Sequence, residues 1–265
     1  MKQLIFTLCT LFALTAFAQN PYEESRTLGE EETRGVVYTS ETAFNLRLHT
    51  NGYAFGVDLG KMRTYYSTRV LTFEFGEIHH PKEIRQGYEY ATQTGQVSRP
   101  VRFGKQNNLF VLRGGLGEKR YFTEKARKKG VAVGMSYAVG PVLGLLKPYY
   151  VEVYEQDVQG TRTQSIRYSE ETEAMFLDDR QIFGSSPLTR GLGESTIRPG
   201  AFGRAAIHLD WGAYDRYVRA VEAGIMVDGF FGKVPIMVEP TGTEGVENKA
   251  IFINFFVNIS LGVRK

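Results

Sequence analysis

Cysteine is almost missing from these 265 residues: Cys9 is the only one, and it lies in an apolar stretch at the amino end. Residues 19–265 can therefore form no disulfide, present no thiolate nucleophile and give no cysteine ligand to a metal. Histidine is nearly as scarce, with four residues, His49, His79, His80 and His208, which argues against a closed metal site. An excess of one charge is also lacking: 32 Lys and Arg stand against 29 Asp and Glu, so nothing in the balance calls for a nucleic-acid partner. Beyond residue 18 there is no run of about eighteen apolar residues, which excludes a spanning helix. The patterns G-x-x-x-x-G-K-[ST], G-x-S-x-G and H-E-x-x-H are absent, and glycine pairs such as Gly114-Gly115 are too weak to signal nucleotide binding. No cofactor is expected.

What is present begins with an export signal. Met1-Lys2 is a basic start, Leu4 to Phe17 is an apolar run, and Ala16-Phe17-Ala18 has the small-x-small form of a cleavage site, so residues 1–18 read as a signal peptide. Residues 19–33 are polar and aperiodic and read as a flexible leader. From residue 34 to 265 a period of two takes over. Its clearest case is Ala250–Val263, where Ile251, Ile253, Phe255, Val257, Ile259, Leu261 and Val263 share one face. The other face carries Phe252, Asn254, Phe256, Asn258, Ser260 and Gly262. An apolar edge of this length invites aggregation unless it is covered or faces lipid.

Seven further stretches alternate in the same way. Val36–Leu48 and Tyr53–Leu59 flank an Asn51-Gly52 turn, and Leu71–Phe75, Phe110–Leu116, Val131–Val139, Ala205–Trp211 and Val221–Val227 follow. In Val131–Val139 the large residues alternate with Ala132, Gly134, Ser136 and Ala138, which suits a narrow barrel interior. Leu143–Tyr154 extends that strand above the sheet. The connections differ in kind. On one side they are long, at 78–107, 155–198 and 230–249, with 155–198 the longest irregular stretch. On the other they are shorter, at 61–66, 117–130 and 212–215. Tyr65, Tyr66, Trp211, Tyr214 and Tyr217 lie near strand ends on the short side, and Tyr149, Tyr150 and Phe231 on the long side. The expected fold is all-β, an eight-stranded antiparallel transmembrane β-barrel with long extracellular loops, in the bacterial outer membrane. A soluble periplasmic binding barrel is the competing fold, but its solvent face would carry more Lys and Glu than these glycine- and alanine-rich faces do.

With its export signal, aromatic-rich strands and C-terminal strand, the chain resembles the small eight-stranded outer-membrane barrels of Bacteroidota from Arg34 to Lys265. It departs from them at the end, Gly262-Val263-Arg264-Lys265, where barrel-assembly signals close on an aromatic residue. The resemblance implies an envelope protein, and such barrels include a component of the type IX secretion machinery. It also admits enzymes, since lipid A deacylases and palmitoyltransferases use this scaffold.

Side chains fill a barrel of eight strands. The inward set expected from parity is Arg47, Asp58, Glu74, Arg113, Arg204, Glu222 and Asp228, a lumen polar network in which opposite charges pair. His79 and His80, beside Glu77 and Glu83, are the one place where a histidine–carboxylate base could form, but adjacent histidines are more often plain loop residues. The basic stretch Lys119, Arg120, Lys125, Arg127, Lys128 and Lys129 reads as a solvated turn that could dock anionic lipid or a periplasmic partner. The expected role is non-enzymatic, a structural or interaction subunit of the envelope, with lipid, lipopolysaccharide and envelope proteins as partners. A lipid-modifying enzyme is the alternative.

Overall fold

The computed structural model describes residues 38–64, 66–87, 98–123, 130–157, 160–178, 180–213, 215–239 and 246–265. The expected signal peptide and leader, Val36, Tyr65, Tyr214 and Lys125–Lys129 lie outside them.

The strands in chain order are β1 (Ser40–His49), β2 (Gly52–Thr64), β3 (Ser67–Ile78), β4 (Arg85–Gln86), β5 (Val101–Arg102), β6 (Asn107–Tyr121) and β7 (Ala132–Pro148). They continue with β8 (Tyr150–Asp157), β9 (Gly160–Arg167), a one-turn helix α1 (Glu173–Phe176), β10 (Ile182–Ser185), β11 (Thr196–Asp210), β12 (Tyr217–Phe230) and β13 (Ile251–Arg264). Eight of them close a barrel in the order β1-β13-β12-β11-β7-β6-β3-β2, every pairing antiparallel. The last strand closes on the first, with Glu41 opposite Arg264 and His49 opposite Phe256. Closure leaves the barrel no free edge, which resolves the hazard posed by so apolar a final strand.

Alternation sets the two surfaces. In β13 every residue from Ile251 to Leu261 at an odd position is exposed, while Phe252, Asn254, Phe256, Asn258 and Ser260 are buried inside. Phe44, Leu46 and Leu48 of β1, Phe55 and Leu59 of β2, Phe73 and Phe75 of β3, and Ile207 of β11 continue the outward apolar face around the barrel. One end, here the base, holds Ser40, Arg264 and the short connections, and the other holds the long ones. At that loop end β1 turns directly into β2. Gly52 has φ +150° there, and a Cβ on it would stand 2.0 Å from the Glu77 carbonyl oxygen, so the turn requires glycine.

Several expectations about the connections need correction. The 61–66 connection shrinks, because β2 runs on to Thr64, and Leu143–Tyr154 is not one extension, because β7 ends at Pro148 and β8 belongs to another sheet. β6 does not stop at Leu116 but runs to Tyr121, which carries Lys119 into the barrel, where it is buried; it is not part of a solvated turn. Residues 155–198 are not irregular: β8, β9 and β10 form a separate three-stranded sheet in the order β10-β8-β9, and β11 already begins at Thr196. Its core joins Tyr149, Val151, Val153, Ile166, Phe176 and Ile182 to Val101 and Val238 from the other long connections. The 230–249 connection is not an open loop either, because Val234, Ile236 and Met237 pack on Ile78, Leu109, Val142, Phe230 and Phe252 at the mouth of the barrel.

The three long connections thus form one folded cap. Backbone bonds tie them together: Gln106 and Asn107 donate to the Ile236 carbonyl at 2.8 and 3.1 Å, Val238 donates to Gly104 at 2.8 Å, and Ser185 donates to Arg99 at 3.2 Å. Alternation cannot reveal such a cap, since its strands are short and its core is assembled from distant segments.

Candidate functional site

The barrel lumen holds the greatest concentration of chemistry. All seven residues that parity assigned to it point inward, on six different strands, and contacts join most of them. Arg113 of β6 clasps Asp228 of β12 with two bonds, Nε to Oδ1 at 2.7 Å and Nη2 to Oδ2 at 2.9 Å, and sends Nη1 to Glu74 Oε1 at 2.6 Å. Such a fork is what a planar guanidinium supplies and an ammonium cannot. Glu74 Oε2 also accepts Arg204 Nη1 at 3.1 Å and pairs with Arg47. Arg47 lays its guanidinium over the Phe256 ring, 4.7 Å from the centroid, a favourable seat for a weakly hydrated cation. Arg204 reaches Asp58 at 3.7 Å, and Asp58 meets Lys119 at 3.6 Å.

The parity reading missed the half of the network nearer the base. Lys119 Nζ donates to Glu41 Oε1 at 2.8 Å, and Glu41 Oε2 accepts Arg264 Nε at 2.9 Å. Arg264 then reaches Asp210 Oδ2 at 2.7 Å and the Gly212 carbonyl at 2.5 Å. Asp210 accepts the Tyr121 hydroxyl at 2.9 Å, and His208 lies 3.3 Å from that hydroxyl and 2.9 Å from Glu222. Glu222 accepts Asn258 at 2.9 Å, and Asn258 links to Asn45 and Ser260. Glu41, His208 and Asp210 lie within the expected strands, and Lys119, Tyr121 and Arg264 one to five residues past their ends, so the same alternation extends to them: Glu41 shares Arg47's parity, Lys119 and Tyr121 share Arg113's, and His208 and Asp210 share Arg204's. Arg264 is the cation that ties β13 to β1 and β11.

Arg47, Arg113, Arg204, Lys119 and Arg264 face Glu41, Asp58, Glu74, Asp210, Glu222 and Asp228, with His208 as the remaining group able to carry positive charge. The ladder is close to neutral and its members are buried, so each charge is held by partners rather than by water. Beside it a small void of about 10 Å³ is lined by Asp58, Lys119, Ser136, Arg204 and Glu222 together with Val70 and Ala138, the room of about one water molecule. The lumen is filled rather than open, and toward the loop end its filling becomes apolar, with Val111, Phe202, Val142 and Phe252.

Outside the lumen, the cap holds a buried ion cluster. Lys105 donates to both oxygens of Glu83 at 2.9 and 3.0 Å, and Arg102 Nε reaches Glu83 Oε1 at 2.5 Å. Burial pushes the Lys105 ammonium below its ordinary value despite that carboxylate. Tyr149, expected near the membrane surface, is buried in the cap core and accepts the Arg102 amide at 3.1 Å, while burial raises its phenol above the usual range. His80 is also committed to structure. Its Nδ1 accepts the Lys82 amide at 3.2 Å, which leaves Nε2 to donate to the Glu247 carbonyl at 3.2 Å. His79 pairs with Glu77 at 3.1 Å, and Glu77 also accepts the Tyr53 hydroxyl. Among the described residues, no group of three or more His, Asp or Glu is placed to hold a metal ion.

No family model and no curated protein matches the chain. Among solved structures it is similar to the N-terminal β-barrel domain of Pseudomonas aeruginosa OprF, at 10% identity and TM-score 0.32, covering 86% of this chain and 98% of that one. It is also similar to Ail, the attachment invasion locus protein of Yersinia pestis, solved with the heparin analogue sucrose octasulfate, at 9% identity, TM-score 0.34, and coverage of 85% and 95%. Neisserial surface protein A matches at 8% identity, TM-score 0.34, and coverage of 85% and 94%. At these scores the likeness carries no argument about what the chain does, and the barrel itself rests on the pairing of its own eight strands.

Proposed function

We propose that this chain is an exported, non-enzymatic outer-membrane barrel whose folded cap faces the outside and meets partners of the envelope or beyond it. The observation that carries the reading is the inversion of its surfaces. Phe44, Phe73, Ile253 and Phe255 are among the apolar side chains more than half exposed on the outer wall, while ten charged side chains are buried in the lumen. In water this arrangement leaves the large apolar wall uncovered, whereas a bilayer covers it and the closed barrel satisfies every backbone group. In its finer form the reading includes a signal peptide cleaved after Ala18, membership among the small Bacteroidota barrels, and a role as a subunit of a secretion-type assembly. A cap with its own core and tied connections supports a contact role, because a rigid surface loses less entropy on binding than loose loops do.

Heat-modifiable migration of the native protein from an outer-membrane fraction tests the barrel: the unboiled form should run apart from the boiled one, and a single band recovered with the soluble periplasm would overturn the reading. Affinity capture in mild detergent tests the contact role, which predicts a stable envelope partner lost when residues 150–185 are replaced by a short linker.

A further inference from the structure

The outward wall is not uniform along its length. Its exposed cations, Lys61 and Arg63 on β2, Arg69 on β3, Arg120 on β6 and Arg219 on β12, all stand near the base, whereas the wall above them is apolar. Lys61 lies directly opposite Arg69 across the β2–β3 pairing. Like charges in that position repel unless an anion lies between them. Among the described residues the carboxylate on this part of the wall is Glu118, opposite Arg69, and it already accepts Ser67 at 2.7 Å and Tyr137 at 2.5 Å. Arg120 stands 3.8 Å from Glu118 and Arg69 acts on the same carboxylate, so one anion is shared by two arginines, while no salt bridge among the described residues involves Lys61 or Arg63. Tyr66, Tyr137 and Trp211 are exposed at the same end, and Tyr217 lies 5.9 and 6.0 Å beneath the Arg216 and Arg219 guanidinium groups.

We infer that this basic belt is a seat for the phosphodiester headgroups of anionic phospholipid in the leaflet at the base of the barrel. The inference rests on the membrane reading above. Aromatic side chains mark the level where hydrocarbon gives way to headgroups, and the cations are placed where a lipid phosphate would lie between Lys61 and Arg69. Charge complementarity selects the occupant: the surplus is positive, it borders an apolar wall, and a phospholipid has both an anionic head and chains to cover that wall.

The test is native mass spectrometry and lipid retention on the full chain reconstituted into vesicles of phosphatidylcholine with or without phosphatidylglycerol. Wild type should retain phosphatidylglycerol over phosphatidylcholine, and each cation removed should lower that preference on the order of fivefold at low salt. The triple variant Lys61→Gln, Arg69→Gln, Arg120→Gln should lose it while keeping wild-type heat-modifiable migration. Lys82→Gln, a charge change in the cap, should keep the preference. Equal retention of the two lipids by wild type, or an unchanged preference in a folded triple variant, overturns the inference alone. A wild-type chain that enters neither kind of vesicle overturns the membrane reading and this inference with it.

Discussion

The two ends of the barrel solve the same packing problem by opposite means. From the base up to mid-barrel the interior is filled by paired charges, from Glu41, Lys119 and Arg264 to Arg113 and Asp228, each pair joining different strands, and Asp228 stands level with Phe202 and Phe252, where the filling changes. Toward the loop end it is filled by Val142, Phe202, Phe230 and Phe252, and roofed by Val234 and Ile236 of a returning connection. Charge pairing is directional, so it fixes which strand faces which across the lumen. Apolar packing is tolerant of detail, and suits the end where three connections of different length must be accommodated.

Removing one member of a charge pair should show the contrast most strongly. Arg113→Ala leaves Asp228 and part of Glu74 buried without a cation, and is expected to destabilise the folded barrel by about 3–5 kcal/mol, read as a lower denaturant midpoint for loss of the heat-modifiable form. Arg113→Leu combined with Asp228→Leu should cost clearly less, because both members of that pair are gone and Glu74 keeps Arg47 and Arg204. If the single and double variants fall together, the pairs are not what organises the charged part of the lumen.

At the loop end Phe176→Ala should cost about 3 kcal/mol locally, since Phe176 is buried among Tyr168, Val151 and Ile166 in the cap. The expected readout is faster proteolysis of residues 150–190 with the barrel's own midpoint unmoved. A shift of both together would mean that cap and barrel unfold as one unit. At the β1–β2 turn, also at the loop end, Gly52→Ala should cost more than about 1 kcal/mol, since its Cβ would press on the Glu77 carbonyl oxygen, and circular dichroism with thermal unfolding in detergent would register it.

The smallest effect expected is a pH dependence confined to the cap. Lys105 has its value lowered from 10.5 by burial, so the unfolded cap binds more protons than the folded one below that value, and stability rises with pH through this window. Tyr149 has its value raised from 10.0 by burial, so above about 10 the unfolded cap loses protons that the folded one keeps, and stability falls. Protease resistance of the cap should therefore climb toward pH 10 and drop beyond it, and Lys105→Met should flatten the rising limb. A rising limb unchanged in that variant would remove Lys105 as its cause.

Legibility followed the same division. Alternation in Val131–Val139 and Ile251–Leu261 was readable because each strand has one side against lipid-like surroundings and one against a crowded interior. Within the lumen, the residues in the middle of strands, such as Arg47 and Glu222, could be assigned by parity. Lys119 and Arg264 share the inward parity but lie just past the expected strand ends, and glycine-rich or charged ends look like turns until their pairing is known. Lys119 shows the point: with Glu118 and Arg120 on either side it reads as part of a solvated basic run, and only pairing through Tyr121 turns it inward. His80 reads as a possible base until the Lys82 amide and Glu247 carbonyl are seen to occupy its two nitrogens.

By itself, the sequence determined the number of long strands, which of their faces is apolar, and the side from which the long connections leave, since all three follow from a period of two that each strand displays alone. Only the tertiary structure decided that those connections fold into a cap, that Glu41, Asp210 and Arg264 meet at the base, and that Lys61 stands opposite Arg69. Those are contacts between residues far apart in the chain, and register, which no strand carries in isolation, is what brings them together.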